Sequence, residues 1–482
     1  MLQNNSLKSK TASGLIWSFV DKFSVQVVQL FIGVVLARLL IPEDYGLIGM
    51  LSIFIAISTA FVSSGMGTAL IQRKNRTEAD YSTVLIFNFG ISILFYTLLF
   101  FSAPFISGFY NTPELTLITR VIGINLLIDS LALVQRMRLT IQLNFKTLAK
   151  INVTSILASG IFAIYLAYLG YGVWALVLRQ VLNSVINVFL LWIFSKWKPS
   201  FVFSKESFKN LFGFGSKLLA AGLYATALQN INNVLIGKVY SASSLGFYTQ
   251  ATQLANMSAG TISGVIQQVT FPVLSTLQDD KARMVDTFRR LIKMSAFFNF
   301  PMMFLLAIIA DPFIQLLLGD KWLNTIPLLQ LMCFARLLYP LSALNLTFLN
   351  STGRSDLFLK VDLAKAPLII LALVITIPIS VKAIVISHVV VTTITYFFNT
   401  YYLGKLHNYG GFKQLKDISR IILATVLAST ITYFSLDLFD NHILKLAIGF
   451  TTMLIFYFIS TYLLKIKELD EVKLLINGLL KK

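Results

Sequence analysis

Residues 14–40 read GLIWSFVDKFSVQVVQLFIGVVLARLL, a run long enough to cross the ~30 Å hydrocarbon core of a bilayer as one helix. The run closes on Ala37-Arg38-Leu39-Leu40 and is followed by Tyr45-Gly46-Leu47-Ile48. With every number raised by 200, the same punctuation returns as Gly237-Lys238-Val239-Tyr240 and then Leu245-Gly246-Phe247-Tyr248. In both places a cation stands eight residues before a glycine that opens the next apolar segment. The echo recurs where Ala103-Pro104-Phe105-Ile106 faces Asp311-Pro312-Phe313-Ile314, and where Gly172-Val173-Trp174-Ala175 faces Lys382-Ala383-Ile384-Val385. Such spacing reads as two copies of one membrane unit.

Composition sets the solvent. Hydrophobic residues make up 56% and charged residues 13% of the 482, which excludes two or three soluble domains. Long apolar runs along the whole chain predict an all-α polytopic membrane protein, and no short alternating segments of a β-barrel are present in the sequence. The polar start, Met1 to Lys10, precedes a run too long for a signal peptide core, so a retained first span is expected. The net charge of +19 does not point to nucleic acid, because the cations gather in the short connections between apolar runs. Cys333 stands alone, and His388, His407 and His442 are scattered without ligand spacing, so neither a disulfide framework, a metal site nor a cofactor is expected.

The pattern predicts about fourteen spans. Dividing the connections alternately puts 30 Lys and Arg on one side, from Lys8 and the Arg73-Lys74-Asn75-Arg76 loop to the tail. The other side holds five: Arg38, Lys238, Lys321, Lys382 and Lys445. That imbalance predicts a multi-pass protein with both termini cytoplasmic. The basic linker Ser195 to Lys209 divides the expected lobes: residues 1–200 as an N-terminal six-helix lobe and 201–404 as a C-terminal one. An even number of spans per copy makes the repeats parallel and pseudo-symmetric. Residues 405–482 have no counterpart and are expected to add two transmembrane helices and a cytoplasmic tail. Met284 to Met294, with Val285, Phe288, Leu291 and Ile292 on one face, reads as a short interfacial helix.

Five cations fall inside expected spans: Lys22, Arg120, Arg179, Lys217 and Arg336. Each costs roughly 2.5–3.5 kcal/mol at the midplane, so each is expected to face a bundle interior or a wet cavity. The comparably placed acids are Asp21 and Asp129, candidates for ion coupling. Arg120 and Asp129, nine positions apart, point to opposite sides of one helix and cannot neutralise each other there. Polar side chains accompany the cations: Gln26 and Gln29 near Lys22, Asn183 and Asn187 after Arg179, then Gln229, Asn232 and Asn233, and Gln253, Asn256 and Gln267. A single polar stripe is commonly glue between helices. Four stripes with cations in both lobes predict a hydrated, positive cavity between the lobes, suited to an anion, and guanidinium forks match phosphate oxygens.

Several segments carry a family resemblance: Gly14-Leu15-Ile16-Trp17-Ser18, Arg38-Leu39-Leu40-Ile41-Pro42-Glu43-Asp44-Tyr45-Gly46, Gly65-Met66-Gly67, Ala69-Leu70-Ile71-Gln72-Arg73, Tyr171-Gly172-Val173-Trp174-Ala175-Leu176-Val177, and Gly353-Arg354. With the two six-helix lobes, the chain resembles the polysaccharide repeat-unit flippases of the Wzx type, in the multidrug/oligosaccharidyl-lipid/polysaccharide exporter superfamily. The resemblance implies alternating-access export of an undecaprenyl-pyrophosphate-linked oligosaccharide across a bacterial inner membrane, for lipopolysaccharide, capsule or exopolysaccharide assembly. It also implies membrane lipid and polysaccharide polymerases as partners, a monomer, and lumen Arg and Lys that engage the pyrophosphate.

Two other readings stand beside it. A cation antiporter of the multidrug and toxin extrusion type shares the fold but predicts acids outnumbering bases in the membrane, the reverse of this chain. A membrane glycosyltransferase or ligase needs a catalytic carboxylate or metal in a large outer loop, and Glu43, Asp44, Glu114, Asp311 and Asp320 sit in short connections without a matched pair. A transporter is therefore expected, not an enzyme.

Overall fold

In the computed structural model, residues 2–73 and 75–473 are described, and they form eighteen α-helices, one 3-10 turn and no strand. The chain runs through α1 (Leu2–Leu39), α2 (Pro42–Ser63), α3 (Met66–Gln72), α4 (Glu78–Tyr110), α5 (Leu115–Ser130), α6 (Leu133–Ile141), α7 (Phe145–Tyr168) and α8 (Val173–Ser195). It continues through α9 (Lys205–Val239), α10 (Ala242–Ser275), α11 (Lys281–Ile308), α12 (Ala310–Leu317), α13 (Thr325–Arg336), α14 (Tyr339–Ser351), α15 (Ser355–Thr376) and α16 (Val381–His407). α17 (Gly411–Leu436) and α18 (His442–Leu463) follow. By packing, these elements divide into two compact units, Met1–Gly246 and Phe247–Lys482.

The protein is a polytopic helical membrane protein. Among the described residues ten helical segments are long and apolar enough to cross a bilayer, eleven if the bent pair α5 and α6 is one span. α9, α10 and α15 have the length but are more polar: α9 carries Gln229, Asn230, Asn232 and Asn233, and α15 carries Lys360, Asp362 and Lys365. The outward faces of the helices are apolar, as a bilayer solvent requires, and polar side chains are turned inward among an apolar core. On α17, Thr425, Ser429 and Thr432 are buried while Leu427, Ile431 and Phe434 are exposed.

Among the described glycines, Gly46 and Gly246 make the tightest approach. A methyl group on Gly46 would lie 1.8 Å from the carbonyl oxygen of Ala242, and one on Gly246 would lie 1.9 Å from that of Pro42. The first turns of α2 and α10 thus cross backbone to backbone, and the contact is reciprocal: residue 46 meets 242 as 246 meets 42.

Each unit also breaks one helix. α5 stops at Ser130 and α6 resumes at Leu133 with a 41° bend, and α13 stops at Arg336 with α14 resuming at Tyr339. A break inside a membrane frees backbone carbonyls that must find donors. In the second unit buried Asn299 of α11 donates its amide to the carbonyls of Arg336 (3.2 Å) and Leu337 (2.9 Å). At the corresponding place of the first unit, buried Ser92 of α4 donates to the Ser130 hydroxyl at 3.2 Å.

α11 departs from the sequence expectation. Met284 to Met294 is not a separate interfacial helix but part of the first half of α11, and Met284, Phe288 and Ile292 are core residues of the second unit. Its cations hold neighbours rather than headgroups. Arg289 donates two hydrogen bonds to Asp417, at 2.9 and 3.0 Å, and Lys293 pairs with Glu468 at 2.9 Å. Tyr409 donates to Asp417 at 3.0 Å, and burial first and that carboxylate second push its phenol above the ordinary range, so it stays a donor. Below them Gln414 and Asn345 exchange amide hydrogen bonds at 2.8 and 3.0 Å, and the Tyr396 hydroxyl donates to Gln414 at 3.1 Å. The network is fully buried and mutually satisfied, which fixes α17 onto α14 and α16.

Candidate functional site

The first unit holds a partly open cavity of about 400 Å³ whose wall mixes apolar side chains with a cluster of polar ones. α5 supplies Asp129 and Ser130, α6 Arg136, α7 Asn152, α8 Asn183, Ser184 and Asn187, and α2 Thr59 and Ser63. These helices are brought together by small residues. A methyl on Gly160 of α7 would lie 2.1 Å from the tip of Ile32, so α1 and α7 pack at close range there. α1 thereby presents Asp21 to Asn152.

A hydrogen-bonded chain runs from that carboxylate to a guanidinium. The Asn152 amide donates to both oxygens of Asp21 at 3.2 Å, and the Asn187 amide donates to the Asn152 carbonyl at 3.2 Å. Arg136 Nη2 then donates to the Asn187 carbonyl oxygen at 2.9 Å. Each amide therefore receives at its oxygen and gives at its nitrogen, so the orientation of both is fixed by the charges at the ends. Asp129 faces Ser184 and lies within electrostatic reach of Arg136. Asn183 also lines the cavity, and its shielded carbonyl oxygen accepts no hydrogen bond among the described residues. The arrangement presents one cation, one carboxylate and three amides to a space large enough for a small polar group or several waters, with a second carboxylate, Asp21, held behind Asn152.

Of the residues singled out by sequence, the cavity gathers Asp129, Asn183 and Asn187 on its wall and joins Asp21 through Asn152. Lys22 and Gln29 are exposed and Gln26 is half-buried. Arg120 is turned toward α4: its guanidinium lies 4.3 Å from the Phe100 ring centre and its Nε donates to the Phe100 carbonyl at 3.4 Å. Arg179 is half-buried within electrostatic reach of Tyr45. Asn233 donates to Ser52 at 2.9 Å, tying α9 to α2, while Asn232 is half-buried and Gln229 exposed. In the second unit Gln253 and Asn256 are exposed. Arg336 is half-buried, with its guanidinium 5.5 Å from the Tyr339 ring centre, and His388 lies within its electrostatic reach. The side chains of Lys217 and Gln267 lie outside the described residues.

Arg136, Asn152 and Ser184 are site residues that pattern reading passes over. Arg136 is counted by charge among the connections, yet the bend between α5 and α6 folds its helix back so that the side chain reaches α8. The polar stripe on α8 was the usable signal, because Asn187 needs partners wherever it points.

The chain is 29% identical over 355 residues to the teichuronic acid biosynthesis protein TuaB of Bacillus subtilis (strain 168), covering 73% of each chain. It is 25% identical over 372 residues to the lipopolysaccharide biosynthesis protein WzxC of Escherichia coli (strain K12), covering 77% of this chain and 76% of that one. Among solved structures, the lipid II flippase MurJ in an inward closed conformation matches with a TM-score of 0.76 at 17% identity, over 93% of this chain and 99% of the other. An inward-facing multidrug resistance transporter of the MATE family matches with a TM-score of 0.62 at 14% identity, over 80% and 96%. These likenesses show a shared fold. Residues 35–327 match the model of the family described as polysaccharide biosynthesis protein, and the chain belongs to that family.

Proposed function

We propose that this protein is a flippase that exports an undecaprenyl-pyrophosphate-linked oligosaccharide repeat unit by alternating access, across the inner membrane of a bacterium, with both termini cytoplasmic. The product feeds lipopolysaccharide, capsule or exopolysaccharide assembly, and polysaccharide polymerases are the partners that would consume it. In this reading the chain is a transporter, not an enzyme, and works as a monomer of two six-helix lobes, 1–200 and 201–404, with 405–482 appended. The observation that carries the reading is the charged, hydrogen-bonded cavity set among apolar helices in a member of a polysaccharide biosynthesis family.

Energetics favour the direction. Each negative charge moved out of a cell that is negative inside gains about 2.3 kcal/mol per 100 mV, so a dianionic pyrophosphate gains about twice that. We assign Lys22, Arg120, Arg179, Lys217 and Arg336, with Arg136 added, to attraction of that group, and Asp21 and Asp129 to any coupling ion. An organic-cation antiporter needs the opposite balance of charge.

Complementation of a strain lacking the native gene tests the assignment. Arg120→Ala, Arg179→Ala and Arg336→Ala are expected to lose polymer export at unchanged protein level, while Lys405→Ala, on an exposed helix end, is expected to be silent. Full complementation by all three arginine variants would remove those residues from the binding set.

A further inference from the structure

The segment that joins α8 to α9 is a strap with a fixed backbone and an unburied apolar outer face. Trp197, 5% exposed, donates its indole N–H to Glu78 at 2.6 Å, and Arg138 pairs with the same carboxylate at 3.4 Å while stacking on the Trp197 and Tyr81 rings. Two backbone amides then bind the start of α4: Ser200 N–H to the Ser82 hydroxyl at 3.1 Å, and Ser204 N–H to the Thr83 hydroxyl at 2.9 Å. Ser82 and Thr83 are fully buried, so these are built contacts and not surface accidents.

Between the two staples the chain turns outward. Phe201 has φ +52°, a conformation non-glycine residues adopt at a cost, and its ring is 77% exposed. Val202 and Phe203 beside it are 52% and 45% exposed. Exposed Lys196, Lys198, Lys205 and Lys209 flank the three, and the exposed acids beside them are Glu206 and Glu78, the latter already held by Trp197 and Arg138. The strap lies where two spans end, just past Ser195 of α8 and beside Glu78 of α4. That is the level of the headgroups, where rings bury beneath the interface and lysines reach anionic phosphates. A solvated linker would not hold Phe201 and Val202 away from the protein, and Phe203 stays half exposed although its ring packs 5.8 Å from that of Phe208.

We propose that residues 196–209 form an interfacial anchor that binds anionic phospholipid, with Phe201, Val202 and Phe203 entering the leaflet and the four lysines meeting its phosphates. Cys333, the sole cysteine, is 1% exposed and will not take a thiol probe, so a single added cysteine reports on one place. The full-length Phe201→Cys variant carries an environment-sensitive fluorophore in nanodiscs of phosphatidylcholine with or without phosphatidylglycerol. Asp440→Cys, in the exposed connection between α17 and α18, supplies the aqueous reference.

The label at 201 is expected to emit to the blue of the reference and to resist iodide. Headgroup spin labels on phosphatidylglycerol should quench it roughly twice as strongly as those on phosphatidylcholine. Changing all four lysines to glutamine should erase that lipid preference and leave the blue shift. Iodide quenching equal to the reference would overturn the anchor, and a lipid preference that survives the lysine changes would overturn its electrostatic part.

Discussion

Gly46→Ala is expected to remove most of the protein from the membrane fraction, although it adds one methyl group. That methyl would sit 1.8 Å from the Ala242 carbonyl oxygen, and the obstacle is backbone, which no rotamer change can move. Relief requires α2 and α10 to separate at their first turns, undoing the neighbouring contact of Gly246 with Pro42 as well. Overpacking costs about 1–3 kcal/mol where side chains can yield, and more where they cannot. Gly246→Ala should match it, and because both contacts belong to one crossing, the double variant should lose far less than the sum of the two. Membrane abundance and thermal unfolding in detergent measure this. Wild-type levels of both single variants would show that the crossing is not a constraint on the fold.

Arg136→Ala is expected to stop export in a protein that still reaches the membrane at normal level. The side chain donates a charge-assisted hydrogen bond to Asn187 and faces Asp129. Its loss leaves Asn187 with an unsatisfied oxygen and frees the order imposed on Asn152 and Asp21. A hydrogen bond to a charged group is worth about 1.5–3 kcal/mol, or roughly ten- to a hundredfold in an equilibrium. Arg136→Lys keeps the charge but not the fork, and should retain a fraction of activity. Polymer output normalised to membrane protein is the readout. Normal output from Arg136→Ala would show that the chain of amides in the first unit has no part in transport.

Much of the fold could be read from residue order. The apolar runs make the helices, and Tyr45-Gly46 and Leu245-Gly246 stand out as an echo, since hydropathy and glycine placement are local properties. That these two glycines flank a single crossing is not local, and no spacing discloses it. The same limit applies to Met284 to Met294: its one-sided apolar face signals burial, but a membrane surface and the flank of α17 look alike from one strand of sequence.

The site was legible in part for a related reason. Asp129, Asn183 and Asn187 stood out because polar groups in apolar runs must be satisfied. Arg136 did not, because a cation beyond the end of a run is indistinguishable from the many that orient the protein. Only the bend after Ser130 brings it inward, and Leu131-Ala132 carries no proline or glycine to announce a break.

The most direct test is transport by the purified protein in liposomes held at an inside-negative potential across its cytoplasmic face. A fluorescent undecaprenyl-pyrophosphate oligosaccharide and an organic cation would be offered in parallel, with Arg136→Ala alongside. The account predicts that the pyrophosphate lipid crosses, that the variant fails to move it, and that the cation stays. Extrusion of the cation with the lipid left in its original leaflet would contradict it.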